Sequence, residues 1–113
     1  MALIFHMARE AEWKAAEATG IYSGAAEDRA DGFIHFSTAT QVRESAAKHR
    51  AGERGLVLIA CESDALGDAL KWESARGGDL FPHLYGDVPV SAVRWAKPLL
   101  LGDDGLHVFP DLG

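Results

Sequence analysis

Leu56-Val57-Leu58-Ile59-Ala60-Cys61 is an apolar run with no alternation, and it constrains the chain more than any other stretch. A strand with one wet face alternates polar and apolar residues; this one does not, so it reads as a central strand buried on both faces. The remaining sequence must therefore supply cover on both sides of it. At 113 residues the chain forms one domain, residues 1–113, large enough for such a core. No apolar run approaches the roughly 20 residues of a membrane span, so no membrane association is expected.

The flanking sequence supplies short elements. Ala2 to Met7 predicts a first strand, and Ala8 to Thr19 a helix with Trp13 and Ala16 inward and Gly20 as its stop. Asp28 to Gly32 reads as a loop into a second strand, where Ile34 and Phe36 face one side and Phe33, His35 and Ser37 the other. Thr38 reads as the N-cap of a second helix, with Gln41 completing a capping box and Ala39, Val42, Ala46 and His49 following at helical spacing. Ser63 to Leu66 reads as a capped turn. Leu70 to Glu73 reads as a short strand with Leu70 and Trp72 inward and Lys71 and Glu73 outward. Arg76 to Asp79 reads as a loop, Val93 to Lys97 as a strand, and Asp103-Asp104-Gly105 as a hairpin turn between Leu99–Leu101 and Leu106–Phe109. About two main helices and five to seven short strands favour an α+β domain over a doubly wound sheet.

Charge narrows the partners. A net charge of −6 and a pI near 5.2 repel polyphosphate, so no nucleic-acid partner is expected. Lys48, His49 and Arg50 form the densest basic cluster, and the last turn of a helix explains them through the helix dipole. Cys61 is the sole cysteine, which forbids an intrachain disulfide, fits a cytoplasmic protein, and reads as an inert core thiol. The start Met1-Ala2-Leu3-Ile4-Phe5-His6 has neither a basic lead nor a cleavage site, so no signal peptide is expected.

Two segments carry chemistry. In Asp31-Gly32-Phe33-Ile34-His35-Phe36-Ser37, an imidazole and a hydroxyl two residues apart share one strand face. With a helix starting at Thr38, the backbone N–H groups of Ser37, Thr38 and Ala39 would face a phosphate or carboxylate beside His35. The plainer alternative is a half-buried structural histidine bonded to a carbonyl. In Phe81-Pro82-His83-Leu84-Tyr85-Gly86, His83 and Tyr85 would likewise share one face of an extended strand; the plainer alternative is a rigid bend, but Pro82 and Gly86 suffice for that, so His83 and Tyr85 are extra. Glu73 taken alone reads as a solvated carboxylate. Beside two histidines it could serve as a base or stabilise positive charge on a sugar ring, with Lys71 holding it ionised. His6 is a weaker member of the set, and His49 and His107 look peripheral. No nucleotide-loop or nucleophile-elbow motif is present. No metal is expected: a lone cysteine excludes a thiolate cage, and no ligand pair sits at helix or hairpin spacing.

Those two histidine segments, extended to Thr38, with Trp72-Glu73 between them, resemble the bacterial family catalogued as domain of unknown function 952, over nearly the whole chain to Phe109-Pro110. The resemblance implies an ADP-ribosyltransferase-like α+β fold, with two small, mainly antiparallel sheets around a cleft that holds NAD in active relatives. Carried over, it implies His35 as the ribose-binding histidine, Glu73 as the acidic residue that steadies the ribose, and Tyr85 beside the nicotinamide. The basic residues of RNA-processing relatives are not evident. The expected protein is thus a binder of NAD or another ADP-ribosyl or nucleotide-like ligand, and, if an enzyme, a ribosyl-type transferase. Glu73 and His83 would be catalytic, with His35, Ser37, Thr38, Tyr85 and His6 binding the ligand. Two other classes stay open: a phosphodiesterase using His35 and His83 as base and acid, though Tyr85 replaces the hydroxyl residue of a second H-x-[S/T] strand, and a non-catalytic ligand-binding or interaction module.

Overall fold

The computed structural model describes residues 2–112, with Arg76 described by its backbone alone. In chain order the elements are β1 (Leu3–Arg9), α1 (Glu10–Thr19), β2 (Ile21–Tyr22), α2 (Ala26–Asp31), β3 (Ile34–His35), β4 (Ser37–Thr38), α3 (Val42–His49), β5 (Leu56–Glu62), β6 (Leu70–Ser74), β7 (Leu80–Leu84), β8 (Val88–Pro89), β9 (Val93–Leu101) and β10 (His107–Val108). Short 3-10 turns cover Ser63–Ala69, Arg76–Gly78 and Val90–Ala92. The fold is α+β, and all the strand pairs are antiparallel.

The apolar run does what its pattern requires. β5 sits in the middle of a five-stranded sheet of order β10-β9-β5-β1-β4. Its Val57, Ile59 and Cys61 enter one core with Trp13, Tyr22, Phe36 and Leu84, while Leu56, Leu58 and Ala60 enter a second core with Phe5, Val42 and Leu99. Each fully buried aliphatic side chain contributes roughly 1.5–3 kcal/mol, so both faces drive folding. A three-stranded sheet of order β3-β7-β6 and a two-stranded ribbon β2-β8 complete the domain.

The second strand is divided where the site is built. Phe36 N–H donates to Pro82 O at 3.0 Å, and the chain changes sheets there. β3 pairs with β7, while β4 pairs with β1. The expected sidedness survives the switch: Ile34 and Phe36 are buried in the core, and Phe33, His35 and Ser37 all line one cleft.

Three local expectations are corrected. The presumed loop at Asp28 is the helix α2, whose low helical signal is offset by Asp28 accepting the Ala25 N–H at 2.7 Å. α3 begins at Val42 and not after Thr38, because Thr38 belongs to the sheet and its N–H is taken by Gln41 Oε1 at 3.0 Å. Phe81 to Leu84 runs extended, as the strand β7. Trp72 is 44% exposed, while Leu70 on the same face of β6 packs against the core.

Candidate functional site

A cleft of about 510 Å³ lies among β1, α2, β3, β4, α3 and β7, and the register of two strands places its main pair. His35 on β3 stands directly opposite His83 on β7, with ring centroids 5.8 Å apart and the rings edge-on at 68°. The two segments singled out in the sequence thus meet in one hollow.

His83 is held rigidly. Phe33 stacks on its ring at 4.1 Å and 24°. Its Nδ1 lies 2.7 Å from Glu73 Oε1, on the neighbouring strand β6, and Tyr85 O–H donates to the same oxygen at 2.7 Å. The Tyr85 hydroxyl and then His83 hold the Glu73 carboxyl below its ordinary range. An ionised carboxylate only accepts, so Nδ1 of His83 carries the hydrogen, and in the neutral ring Nε2 keeps the lone pair. Glu73 and Tyr85 are not among the cleft-lining residues. They orient His83 from outside, which corrects the placement of Tyr85 against a ligand and of Glu73 facing a sugar.

His35 is held by acids. Asp28 Oδ1 is 2.6 Å from its Nδ1 and also accepts its backbone N–H at 3.1 Å, while Asp31 Oδ2 lies 3.0 Å from Nε2. The hydrogen bond to Asp28, with the charge of Asp31 adding to it, raises the imidazole above 6.5 against the effect of burial. Asp28 is 3% exposed. Burial alone would push its carboxyl up, but the bond from His35, the nearby His6 and two backbone N–H groups outweigh it and leave the group lowered. The His35 ring thus rests on a buried carboxylate, with its outer face toward the cleft.

His6 lies beneath this pair. Its Nδ1 donates to His35 O at 2.7 Å, so its Nε2 accepts the Tyr22 O–H, also at 2.7 Å. Burial lowers its pKa, and the ring stays neutral. Both nitrogens are engaged, so His6 supports His35 from the cleft wall. Ser37 lines the cleft, and its hydroxyl donates to Ser45 Oγ at 3.0 Å. Thr38 does not reach the cleft; its hydroxyl meets Thr40 at 3.1 Å, and the expected phosphate cradle at a helix start is absent because α3 starts four residues later. His107 is remote from it, bonding Glu53 O at 2.7 Å, but His49 does line the cleft, against expectation.

Sequence reasoning missed Asp28, Asp31, Phe33 and Arg50. Arg50 follows the last residue of α3 and does more than complement its dipole: it lines the cleft and donates to Glu27 at 2.9 Å. For Asp28 a signal existed, an acid at the third position of a helix entered through Gly24-Ala25. For Phe33 and Arg50, only tertiary contact reveals the role. Among the described residues, no three His, Cys, Asp or Glu side chains converge as a metal centre. Among the described residues, no helix is long and apolar enough to cross a membrane.

Residues 7–96 match the family described as protein of unknown function (DUF952), and the chain belongs to that family. The crystal structure of protein CC0527 from Caulobacter crescentus is 48% identical, with 94% of this chain and 93% of that one covered and a TM-score of 0.90. The solution structure of the same protein is 49% identical, covers 94% and 91%, and gives a TM-score of 0.83. No curated protein matches the chain.

Proposed function

We propose that this member of the DUF952 family binds a nucleotide-like ligand in the cleft, and that His35 and His83 serve as an acid–base pair at its ribose. The observation that carries the reading is the cross-strand pair itself: two imidazoles 5.8 Å apart in one cleft, each with Nδ1 on a carboxylate. That arrangement leaves His83 Nε2 as a base and His35 Nε2–H as a donor once the half-exposed Asp31 turns to solvent.

NAD or another ADP-ribosyl compound is the first ligand class to test. The cleft carboxylates Glu27, Asp28 and Asp31 stand against the cations Arg50 and His35. Such a balance suits a ligand of small net charge with a cationic nicotinamide better than a polyphosphate. In a ribosyl transfer, Asp28 behind His35 would offset the developing positive charge, since Glu73 is turned toward His83 and Tyr85, and His83 would take the proton of the attacking hydroxyl.

Calorimetry with NAD and ADP-ribose on the wild type, His35→Ala and His83→Ala checks this. Submillimolar binding by the wild type, weakened about tenfold or more in each folded variant, is expected, that is about 1.4 kcal/mol. No binding at millimolar ligand overturns the reading.

The carboxylate behind each histidine also favours a second reading, phosphodiester cleavage. It predicts turnover of cyclic nucleotides with a bell-shaped pH profile, whose alkaline limb lies above 6.5 because His35 is raised. Cyclic nucleotides left intact by pure protein exclude it.

A further inference from the structure

The proposed ligand needs a place for its phosphate, and the structure holds a carboxylate where one would fit. Glu27 on α2 is gripped by two arginines. Arg9 donates to it in parallel, Nη1 to Oε1 at 3.0 Å and Nη2 to Oε2 at 2.8 Å, and Arg50 Nη1 adds a bond to Oε2 at 2.9 Å. One guanidinium fork and a second guanidinium N–H on the same anion is a geometry by which proteins hold phosphate. The Arg50 side chain is only 11% exposed, and its Nε is buried with no acceptor. Neither oxygen of the Glu27 carboxylate reaches that N–H; a phosphate, with more oxygens spread around its phosphorus, can offer it one. Glu27 and Arg50 line the cleft, and Glu27 is the neighbour of Asp28, which holds His35.

Glu27 is also free to leave. Its side chain is 51% exposed, so turning it outward opens no cavity. Glu53 accepts from Arg9 Nε at 3.0 Å and lies 3.5 Å from Arg50 Nη1, and Glu12 Oε1 lies 3.9 Å from Arg9 Nη1, so neighbouring carboxylates keep both arginines in place when Glu27 turns away.

We infer that Arg9 and Arg50 form the phosphate subsite of the cleft, that Glu27 occupies it when no ligand is bound, and that an incoming phosphate group displaces Glu27. The inference rests on the nucleotide reading above but is tested apart from it, with inorganic pyrophosphate as the probe. Pyrophosphate is titrated into the wild type and Glu27→Gln, following the Arg50 Nε–H resonance by NMR and the affinity by calorimetry. Removing an internal competitor raises the fraction of open sites, so Glu27→Gln should bind about tenfold more tightly, and Arg50→Lys in that background should lose the gain. The Arg50 Nε–H should shift on binding in both proteins.

Affinity unchanged in Glu27→Gln, or an Arg50 Nε–H that stays still at saturating pyrophosphate, overturns the inference. If Glu27→Gln does not fold, the wild-type resonance alone decides it. ADP-ribose separates the two claims. Pyrophosphate tightened by Glu27→Gln with no ADP-ribose binding leaves the subsite and removes the nucleotide reading. ADP-ribose bound equally by both proteins, with pyrophosphate indifferent to Glu27, removes the subsite alone.

Discussion

At the scale of residues, Asp28 organises the site. It is buried, and it accepts three N–H groups: from Ala25 and His35 backbone and from His35 Nδ1. Asp28→Asn keeps the shape and removes the charge, so the imidazole of His35 should fall toward its ordinary value of 6.5, readable by NMR titration of its ring protons. A stability loss of about 1–3 kcal/mol is expected from the mispaired amide. The pH dependence has two signs. A raised His35 contributes stability that is complete below 6.5 and fades as pH climbs through its folded value. A lowered Asp28 contributes stability present above its ordinary 3.8 and lost as pH falls. The variant should therefore lose most between about pH 4 and 6.5, and a wild-type minus variant difference that is flat across that window would refute the pairing. The identity of His35 and His83 was legible because each stood in an apolar strand with no structural need for an imidazole. Of their carboxylate partners, Glu73 was a candidate only through its place in the chain, and Asp28 read as part of a loop until the fold brought them to 2.6–2.7 Å.

At the scale of elements, α2 is the hinge of the arrangement. Its six residues carry Asp28 against His35 and Glu27 against two arginines. Gly24 lets the chain turn into it with a φ of +89°, and a Cβ there would come 2.9 Å from Asp28 Cβ and 3.1 Å from Ile34 Cγ1. Gly24→Ala should cost about 1–3 kcal/mol and disturb the His35 resonance. Gly32→Ala, with a similar φ of +88° but open space around it, should cost only the backbone strain, about 1 kcal/mol, and leave His35 undisturbed. Equal melting shifts for the two variants would argue against crowding at Asp28. Sequence pattern missed α2 because Ala26–Asp31 has no apolar periodicity; its side-chain contacts and the Ala25 cap hold it, and these are long-range or local-polar features that hydrophobic spacing does not record. The same limit displaced the start of α3, where sheet pairing of Thr38 overrode a good N-cap.

For the whole molecule, β5 is the most protected place, buried on both faces and bonded on both edges to β1 and β9. Hydrogen exchange should be slowest at Leu58 to Ala60 and fastest at β10, a two-residue edge strand with Val108 59% exposed. Exchange at β10 as slow as at β5 would contradict this layering. That β5 lies at the centre, that α1 ends at Gly20, that Phe33, His35 and Ser37 share a side, and that the domain is α+β follow from the sequence alone. They depend on local conformation and on the free energy of burying apolar side chains, and both are written in residue type and spacing. The union of His35 with His83, the exchange of sheets at Phe36, and the gathering of Asp28, Phe33 and Arg50 around one cleft were decided only in three dimensions. Strand pairing between segments almost fifty residues apart is selected by the packing of the entire core, and no local pattern encodes which partner a strand will take.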